Sequence, residues 1–595
     1  MLNSTRTVFH AIAAIALLVC STACQRQTMS LLDEETTAML ERHQARTLGA
    51  DSQNDPQRVP ARDHAPHTNE QSYRTDLPTA NPAPEDLPAR SAVKGAVNAI
   101  EPPADEVMEM NLEQVLAYAI QHSPDYLAAR EDLYLVALDM LAEQHLWGPR
   151  FFKTFSAEVS GTPAQGEVDH ALELIGEVGV THRLPNGGEV SASALVSFIE
   201  ALRDDTVAPT PDSQTTSLVF GLEKPLLRGA GPVARESLIQ AHRDLIYEVR
   251  NFERFRREFL FRLASDYFDL LRSRANVENL ETQEGNFKKL HKGIKALADK
   301  GRVALFEAER VNQQVLFATN NLRNAEESYE GDLDAFKVSI GMRPQQDLSL
   351  LPTEITIPPL VLNRVESTAS AHKFRLDLQT SSNQIGDAKR GAANARNGLL
   401  PDLDLAASLT LPSDPSVKWP GIQLDPHTGG YSVALAYGAP IDRRIERIRY
   451  RQSLITLERT VRSHTLLRDL ITQQVRRSIR RIELARSTLD LQTENKRIAT
   501  KRSTGVDLRL RTLGPRDKIE AEEDALEAKT RYEEAKRDVR VNVLRYLLDT
   551  GQMRVDPHGR WLPPAKLVPI KPEPEAPNAK APLKGANSDL VTRQG

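Results

Sequence analysis

Two stretches of the chain predict helices that are far longer than one compact domain can enclose. The first runs from Val233 to Lys300, and at about 1.5 Å per residue its roughly 65 residues make a helix of about 100 Å. The second runs from Arg443 to Leu510 with the same character. Apolar side chains that recur every seven residues predict that these helices pack as coiled coils. In the first stretch these residues are Leu238, Leu245, Val249, Phe252, Phe259, Leu263 and Leu270.

The composition fits long helices better than a large α/β enzyme. Charged residues make up 26% of the 595 residues, and aromatic residues make up only 5%. The formal net charge of −5 is too small to indicate a nucleic-acid partner. After residue 24, no stretch supplies the roughly 18 uncharged residues that a transmembrane helix requires. We therefore expect that the chain does not cross a membrane as a helix.

The first residues predict export. Arg6 precedes an apolar run from Val8 to Val19 and the sequence CSTACQ, so residues 1–23 are interpreted as a signal peptide. Ser21–Cys24 resembles a bacterial lipobox, in which the cysteine carries lipid and becomes the first residue. The alternative is an ordinary signal peptide with an incidental cysteine. Because Cys20 and Cys24 are the only cysteines, the exported protein is expected to have no internal disulfide.

Two segments outside the folded body predict disorder. Residues 24–105, which begin at the lipidated Cys24, are polar, contain many prolines and show no hydrophobic period. Residues 563–595 form a tail that is rich in proline, lysine and alanine. We therefore predict a long linker before the folded body and a disordered tail after it.

The folded body is an internal repeat of two copies. Matching residues lie 250 or 252 residues apart before the strands, and 210 or 215 apart after them. The strand region of the first copy is therefore longer, by about 37 residues. The matching pairs are His122 and His372, Pro149 and Pro401, Pro225 and Pro440, Glu307 and Asp517, and Gly341 and Gly551.

These spacings set the expected boundaries. The first copy covers residues 106–350, with strands at about 151–224 and long helices at about 232–340. The second copy covers residues 351–562, with strands at about 401–440 and long helices at about 443–550.

The strand regions alternate apolar and polar residues. In LPDLDLAASLT and YSVALAYG, one set of alternate residues is apolar or aromatic and the other set is mostly small or polar. Segments of about 9–11 such residues suit strands that cross an outer membrane with their apolar side outward. Asn186–Gly188 predicts a tight turn between two further strands of the first copy. A soluble β-sandwich shows the same alternation, so the strands alone do not decide between the two.

The segment EKPLLRGAG, the twofold helix–strand–helix repeat and the closing stretch Leu513–Gly551 resemble the TolC-type outer-membrane efflux proteins. The resemblance covers residues from about 110 to about 560. It implies a membrane α+β fold and a homotrimer, in which strands of three chains close one β-barrel and the helices continue it as a periplasmic tunnel. The joints between barrel and tunnel then fall at Pro225, Gly229, Gly231 and Pro440.

The extra hairpin around Asn186 departs from the family pattern. Family members usually supply two strands per repeat, which makes twelve strands from three chains. The first copy here predicts an additional hairpin, which would make six strands per chain. The hairpin either enlarges the barrel or lies outside it, and the sequence leaves both possibilities open.

The resemblance also implies a gate at the periplasmic end of the tunnel. The family pattern places an adaptor-facing tip at Gly301, Arg302, Val303, Ala304 and Gly514 and a ring of acids at Glu307, Asp517 and Glu520. Three copies of each acid around a narrow pore would attract cations and repel anions. The alternative is that these acids are ordinary solvated charges on helix turns.

No residue pattern predicts an enzyme, a cofactor or a metal site. The histidines are scattered without HExxH, and no spacing of cysteine and histidine is typical of a metal centre. Gly229–Gly231 is not a phosphate loop, because no Walker lysine follows it. The alternative function is a lipid-anchored coiled-coil spacer of the cell envelope without transport activity, which leaves the amphipathic strands unexplained.

The resemblance implies a passive exit channel in a tripartite efflux or type I secretion system. A periplasmic adaptor protein would open the channel and an inner-membrane transporter would supply the substrate. The expected location is the outer membrane, with Cys24 anchored in its lipid and the helices in the periplasm. The substrate class stays open among drugs, metal ions and proteins.

Overall fold

The chain folds into long helices and one large β-sheet. The computed structural model describes residues 25–48, 107–164, 167–201, 213–352, 362–414, 424–508, 514–555 and 561–562. Among these residues, no helix combines the length and the apolar composition that crossing a membrane requires.

The first copy of the repeat has two helices, then four strands, then two longer helices. The short strand β1 (Met108–Met110) precedes it and β6 (Leu348–Leu350) follows it, and the two strands pair in parallel. The elements between them are α2 (Leu112–His122), α3 (Pro124–His145), β2 (Arg150–Ala164), β3 (Glu167–Arg183), β4 (Glu189–Ala201), β5 (Ser213–Pro225), α4 (Glu236–Ala298) and α5 (Leu305–Ile340).

The second copy has the same order of elements with two strands instead of four. A pair of short antiparallel strands, β9 (Arg554–Val555) and β10 (Trp561–Leu562), follows it. The elements of the copy are α6 (Arg364–Phe374), α7 (Leu376–Asn397), β7 (Asp402–Pro412), β8 (Gly430–Gly438), α8 (Arg444–Leu508) and α9 (Pro515–Asp549).

In each copy, a glycine just after the last helix packs against the first two helices of the same copy. Gly341 follows α5 with φ 83°, and a Cβ atom at this position would lie 2.1 Å from the carbonyl oxygen of His122. Gly551 comes two residues after α9 with φ 70°, and a Cβ atom there would lie 3.1 Å from the carbonyl carbon of Phe374. Both glycines thus pack against the break between the first two helices of their own copy, where only glycine fits.

Helix α4 has the buried seam that its heptad pattern predicts. Leu245, Val249, Phe259, Leu263 and Leu270 are buried. Leu238 and Phe252 are partly buried against the same cores. At its middle, α4 packs with α2, β1 and β6 in a core that also receives Leu544 and Met553 from the second copy. This shared core joins the two copies at the middle of α4 and near the ends of α5 and α9.

Helix α2 begins with a capping box at Asn111. The side chain of Asn111 accepts a hydrogen bond from the backbone N–H of Gln114, at 2.9 Å. The side chain of Gln114 in turn accepts from the backbone N–H of Asn111, at 2.8 Å. This reciprocal pair satisfies two of the backbone donors that the first turn of a helix leaves free.

The prediction that residues 24–105 form one disordered linker is wrong for residues 25–48. These residues form helix α1 (Gln25–Leu48), whose Met39 and Leu40 are buried in a core with Leu133, Ala137 and Leu245. The helix is stabilised by the apolar groove between α3 and α4 rather than by an amphipathic pattern of its own, because only a few of its residues are large and apolar. Residues 49–105 lie outside the described residues.

The large sheet is antiparallel throughout and combines strands of both copies. Its order is β2-β3-β4-β5-β7-β8, so the second copy continues the sheet of the first. Strand β5 pairs with β7 from Ser217 to Pro225 and thereby joins the copies. The hairpin predicted around Asn186 is present as β3 and β4, and both strands belong to this sheet.

Candidate channel: the sheet, the joints and the helical tips

One face of the six-stranded sheet is apolar across its whole width. Residues that pair directly across antiparallel strands share a face, so the register assigns every side chain to one side. The apolar face is interrupted by Lys153 and Thr216 and by polar residues near its two margins. Its members include Phe151, Phe155, Val178, Val196, Leu218, Phe220, Leu409, Leu411, Tyr431, Val433, Leu435 and Tyr437.

The opposite face is mainly polar, apart from Phe152, Ile175, Leu195 and Val219, and it carries hydrogen bonds between strands. Ser408 and Ser432 are 2.8 Å apart, and Ser197 and Thr215 are 2.5 Å apart. An apolar face and a polar face on strands of this length are what a membrane barrel with a water-filled interior requires. The polar face also includes Thr154, Glu158, Glu173, Glu177, Ser191, Ser193, Ser217 and Thr410.

The polar face is rich in acids, a feature that the sequence analysis missed. Glu158 and Glu173 stand directly opposite each other on β2 and β3, although like charges in this position cost stability. Glu177 on the same face accepts a hydrogen bond of 3.3 Å from Thr154. The signal that could have found this site is the strand register, because it decides which of the acids share a face.

Both outer strands of the sheet have a free edge in the described part of the chain. Strand β2 pairs only with β3, and β8 pairs only with β7. These strands also expose aromatic side chains: Phe151 is 83% exposed and Tyr431 is 84% exposed. An apolar edge of this kind promotes pairing with another strand.

In the first copy, the residues predicted as a joint lie between the end of a strand and the start of a long helix. Strand β5 ends at Pro225, and Gly229 and Gly231 adopt left-handed backbone conformations with φ 77° and 75°. The backbone N–H of Gly229 donates a hydrogen bond of 2.8 Å to the side chain of Asn397, at the end of α7. A short 3₁₀ turn, Gly231–Arg235, then leads into α4. The second copy thus supports the turn of the first.

The joint of the second copy is simpler. Strand β8 ends at Gly438, and α8 begins at Arg444 after Pro440. The side chain of Asp442 accepts a hydrogen bond of 2.9 Å from the backbone N–H of Arg444. Arg443 donates a hydrogen bond of 2.7 Å to the carbonyl oxygen of Leu399. These contacts fix the direction in which the long helix leaves the sheet.

The first tip is a tight turn closed by glycine. Gly301 has φ 67°, and the backbone N–H of Arg302 donates a hydrogen bond of 2.9 Å to the carbonyl oxygen of Leu297. This arrangement ends α4, and Val303 and Ala304 lead into α5. Beyond the turn, Leu305 and Phe306 are 68% and 63% exposed. The tip therefore presents an apolar surface as well as charges.

The three predicted gate acids each have a partner within their own chain. Glu307 pairs with Arg310 at 3.3 Å, and Glu520 pairs with Arg502 at 3.0 Å. Asp517 accepts a hydrogen bond of 3.0 Å from the backbone N–H of Gly514 and so caps α9. The other residues of the second tip, 509–513, lie outside the described residues. A ring of these acids in an assembly stays a prediction. Because Arg310 and Arg502 pair with two of the acids, they belong to the predicted gate site as well.

A buried polar cluster above the second tip was also missed. Glu522 accepts hydrogen bonds from Lys518 at 2.7 Å, from Ser503 at 2.6 Å and from Asn286 at 3.0 Å. Burial alone would raise the pKa of the Glu522 carboxyl, but these hydrogen bonds hold it below its ordinary value. Because the donors come from α9, α8 and α4, the cluster ties the second copy to the first.

Helix α1 lies along α3 and α4 with its first residue far from the sheet. The hydroxyl of Tyr134 donates to the carboxylate of Asp33, and the rings of His43 and His242 are 5.9 Å apart. Helix α3 runs towards the sheet and α4 runs away from it, so α1 runs towards the sheet. At about 1.5 Å per residue, Gln25 then lies about 30 Å from the sheet end of α3. Cys24 itself lies outside the described residues.

Comparison with known proteins gives structural matches only. No protein-family model matches the sequence, and no curated protein matches it. The solved outer-membrane channel OprN is 13% identical, with a TM-score of 0.57, covering 74% of this chain and 89% of that one. The CmeC outer-membrane channel of Campylobacter jejuni is 14% identical, with a TM-score of 0.56 and coverages of 74% and 85%. The outer-membrane protein VceC of Vibrio cholerae is 14% identical, with a TM-score of 0.54 and coverages of 74% and 96%.

These matches extend over the helices and the sheet together, at a level of identity that shows the fold alone. They confirm the resemblance on which the sequence analysis relied. With its two copies of helices, amphipathic strands and long helices, the chain has the fold of the TolC-type outer-membrane channels.

Proposed function

We propose that this protein is the outer-membrane exit channel of an export system, either a tripartite efflux system or a type I secretion system. The observation that carries the proposal is the two-faced sheet, which is continuous with two pairs of long helices. The apolar face suits lipid, and the polar face suits a water-filled pore. The resemblance to the family supports a passive conduit, in which the export system supplies the energy elsewhere.

A homotrimer is supported by surfaces that one chain leaves uncovered. Within the described ranges the outer edges of β2 and β8 have no partner strand, and α8 exposes apolar residues at seven-residue spacing. Such a stripe packs against another helix in a coiled coil. The exposed residues on α8 are Ile448 and Ile455 near the sheet, and Leu484, Leu491 and Ile498 near the tip. Other copies of the chain would cover both the strand edges and the stripe.

The partners are a periplasmic adaptor protein and an inner-membrane transporter. The resemblance to the family supports both partners, and the tip supplies a surface for the adaptor. Leu305 and Phe306 are exposed at the point where α5 begins, beside the turn at Gly301. An adaptor that covers these apolar side chains would stabilise a particular arrangement of the tip, and in this way it would open the passage.

The location is the outer membrane, with the long helices in the periplasm and lipid attached to Cys24. The docked position of α1 limits how far a lipid on Cys24 can reach towards the membrane. One leaflet of hydrocarbon is about 15 Å thick, and Gln25 of the docked helix lies about 30 Å from the sheet. A lipid on Cys24 therefore reaches the membrane that surrounds the sheet only when α1 leaves its groove.

The test is to reconstitute the purified protein in planar lipid bilayers. We expect a detergent-soluble trimer that forms ion-conducting pores. The alternative, a coiled-coil spacer of the envelope, predicts no pores and leaves the apolar sheet face without a role. A monodisperse, water-soluble monomer without channel activity would rule out the proposed function.

A further inference from the structure

We propose that the extra hairpin, β3 and β4, is part of the barrel wall, so that three copies of the chain close a barrel of eighteen strands rather than twelve. The inference rests on the proposed function and specifies the width of the exit. Each chain contributes six strands to one continuous sheet.

The pairing of the hairpin strands is the most extensive in the sheet. Strand β3 pairs with β2 from Arg150 to Ala164, along the whole of β2. Strand β4 pairs with β3 along its full length and with β5 from Glu189 to Ile199. By contrast, β5 and β7 pair only from Ser217 to Pro225. A hairpin that lay outside the barrel would leave β2 and β5 to pair with each other, and here they are separated by two strands.

The two faces of the sheet also continue through the hairpin. Val178 and Val196 belong to the apolar face, and Glu177 and Ser193 belong to the polar face. On the polar face, a Cβ atom at Gly179 would lie 2.5 Å from the ring of Phe152 on β2. The ring therefore occupies the space above the glycine, an arrangement that fixes the register of neighbouring strands. This patterning is expected of strands with lipid on one side and water on the other.

The turn of the hairpin is attached to the joint between sheet and helices. The backbone N–H of Gly231 donates a hydrogen bond of 3.1 Å to the carbonyl oxygen of Asn186. A Cβ atom at Gly187 would lie 2.9 Å from the Cβ atom of Ala234. The turn thus packs directly on the segment that leads into α4, at the same edge of the sheet as the other helical ends.

The direction of the strands permits closure by further copies of the same chain. Strand β2 leaves the helical side of the sheet and β8 returns to it, because the number of strands is even. The free edge of β8 in one copy is therefore antiparallel to the free edge of β2 in the next, as every other pairing in the sheet is. The exposed Phe151 and Tyr431 on these edges would then be covered or face lipid.

The consequence is a wide exit. The diameter of a barrel grows roughly in proportion to its strand number, so eighteen strands give a barrel about 1.5 times as wide as twelve. Barrels of about 16–18 strands enclose an open aqueous channel. Selection by size then occurs at the helical tip rather than in the sheet, and the exit accommodates bulkier solutes than a twelve-strand barrel does.

The first test is chemical labelling of single cysteines on the hairpin in intact outer membranes, in a Cys24→Ala background. Glu177→Cys and Ser193→Cys should react with a membrane-impermeant charged maleimide that enters the pore. The adjacent variants Val178→Cys and Ala194→Cys face lipid and should react at least about tenfold more slowly. Equal labelling of all four variants would place the hairpin outside the barrel wall and overturn the inference.

The second test measures the width of the exit. Deleting residues 165–212 removes β3 and β4 and joins Ala164 to Ser213. The four strands that remain still alternate in direction. Uncharged polyethylene glycols of increasing size are added on the sheet side of bilayers that contain either protein. The full chain should admit polymers about 1.5 times larger in radius than the deletion variant. Equal size limits for the full chain and the deletion variant, when both form conducting trimers, would overturn the inference. A full chain that forms no pore would contradict the proposed function instead.

Discussion

The backbone N–H of Gly231 donates a hydrogen bond to the carbonyl oxygen of Asn186, and this contact couples the turn of the extra hairpin to the start of the long helix. Gly187, the next residue in the turn, has φ 94°, and its α-carbon packs against Ala234 and Gly229. The turn and the joint therefore form one unit, in which glycine is required both by the backbone conformation and by the lack of space.

The first prediction follows from that crowding. Gly187→Ala should destabilise the assembly by more than Gly229→Ala does. The backbone is in the left-handed region at both positions, and this conformation costs a residue with a Cβ atom about 1–2 kcal/mol. At Gly187 the new Cβ atom also meets other atoms, at 2.9 Å, whereas at Gly229 no atom of the described residues lies within 4 Å of it. Overpacking adds about 1–3 kcal/mol. The measurement is the thermal dissociation of the proposed trimer, and equal effects of the two substitutions would contradict the packing at Gly187.

The second prediction concerns the buried cluster at Glu522. Glu522→Ala leaves the ammonium group of Lys518 buried without this carboxylate, and removing one member of a buried pair costs about 3–5 kcal/mol. The matched control is Glu527→Ala on the same helix, because Glu527 and Arg531 form an exposed pair at the same four-residue spacing. That change should cost no more than about 0.5 kcal/mol. If urea unfolding shows similar losses of stability for the two variants, the buried cluster contributes no more to stability than the exposed pair does.

The cluster also predicts the direction of a pH dependence. The pKa of Glu522 is lower in the folded chain than in the unfolded chain, because the hydrogen bonds favour its charged form despite burial. Its contribution to stability is therefore complete above the ordinary carboxyl pKa of about 4.5 and is lost as the pH falls through the folded value. Glu522→Gln should remove this part of the acid sensitivity, which a comparison of unfolding at pH 7 and below pH 4.5 would measure.

The third prediction concerns ion selectivity and separates the tip from the sheet. Changing Glu307, Asp517 and Glu520 to amides removes three negative charges per chain from the tip, which leaves Arg310 without Glu307 and leaves Arg502 paired with Asp524 alone. The tip then becomes more positively charged. The ion selectivity of the channel should therefore shift from cations towards anions, rather than merely lose its preference for cations. Reversal potentials of single channels in asymmetric salt would show the shift. An unchanged preference would mean that the tip acids do not line the passage.

The matched variant for selectivity is on the sheet. Glu158→Gln with Glu173→Gln removes two like charges that stand opposite each other on the polar face. We expect a smaller loss of cation preference than at the tip, because the wide exit restricts ions less. Stability should rise slightly, by less than about 1 kcal/mol, because the repulsion between the strands disappears. A larger effect on selectivity than that of the tip variant would place the constriction in the sheet.

The sequence predicted the elements that depend on local patterns. The heptads of α4 and the turn at Asn186 each follow from a few neighbouring residues. It did not predict the cluster at Glu522, because an acid on a heptad helix is ordinarily solvated and only the approach of Asn286 and Ser503 shows otherwise. Helix α1 was missed for the same reason, since its stability comes from the groove that receives Met39.

The last prediction concerns helix α1 and its groove. Burial lowers the pKa of His242, and burial together with the nearby His242, Arg46 and Arg42 lowers the pKa of His43. The other residues that line this site are Glu35, Met39, Leu141 and Gln144, and among them only Glu35 carries charge. Both histidines have a higher pKa when α1 is released, so release takes up protons once the pH falls below about 6.5. Docking should therefore be stable at neutral pH and weaken progressively below that value.

Hydrogen exchange of residues 25–48 measures docking directly, and it also tests the lipid anchor. In the Cys24→Ala protein at pH 7.5 we expect these amides to be protected, and at pH 5 we expect the protection to fall. His43→Gln with His242→Gln should remove that pH dependence, because neither side chain then takes up a proton. In the lipid-modified protein within a membrane, α1 should be unprotected at both pH values, because its docked position holds Gln25, the residue after the lipidated cysteine, about 30 Å from the sheet. Protection of α1 in a lipid-anchored, membrane-embedded trimer would show that the helix and the anchor coexist, and that the docked geometry differs from the one described.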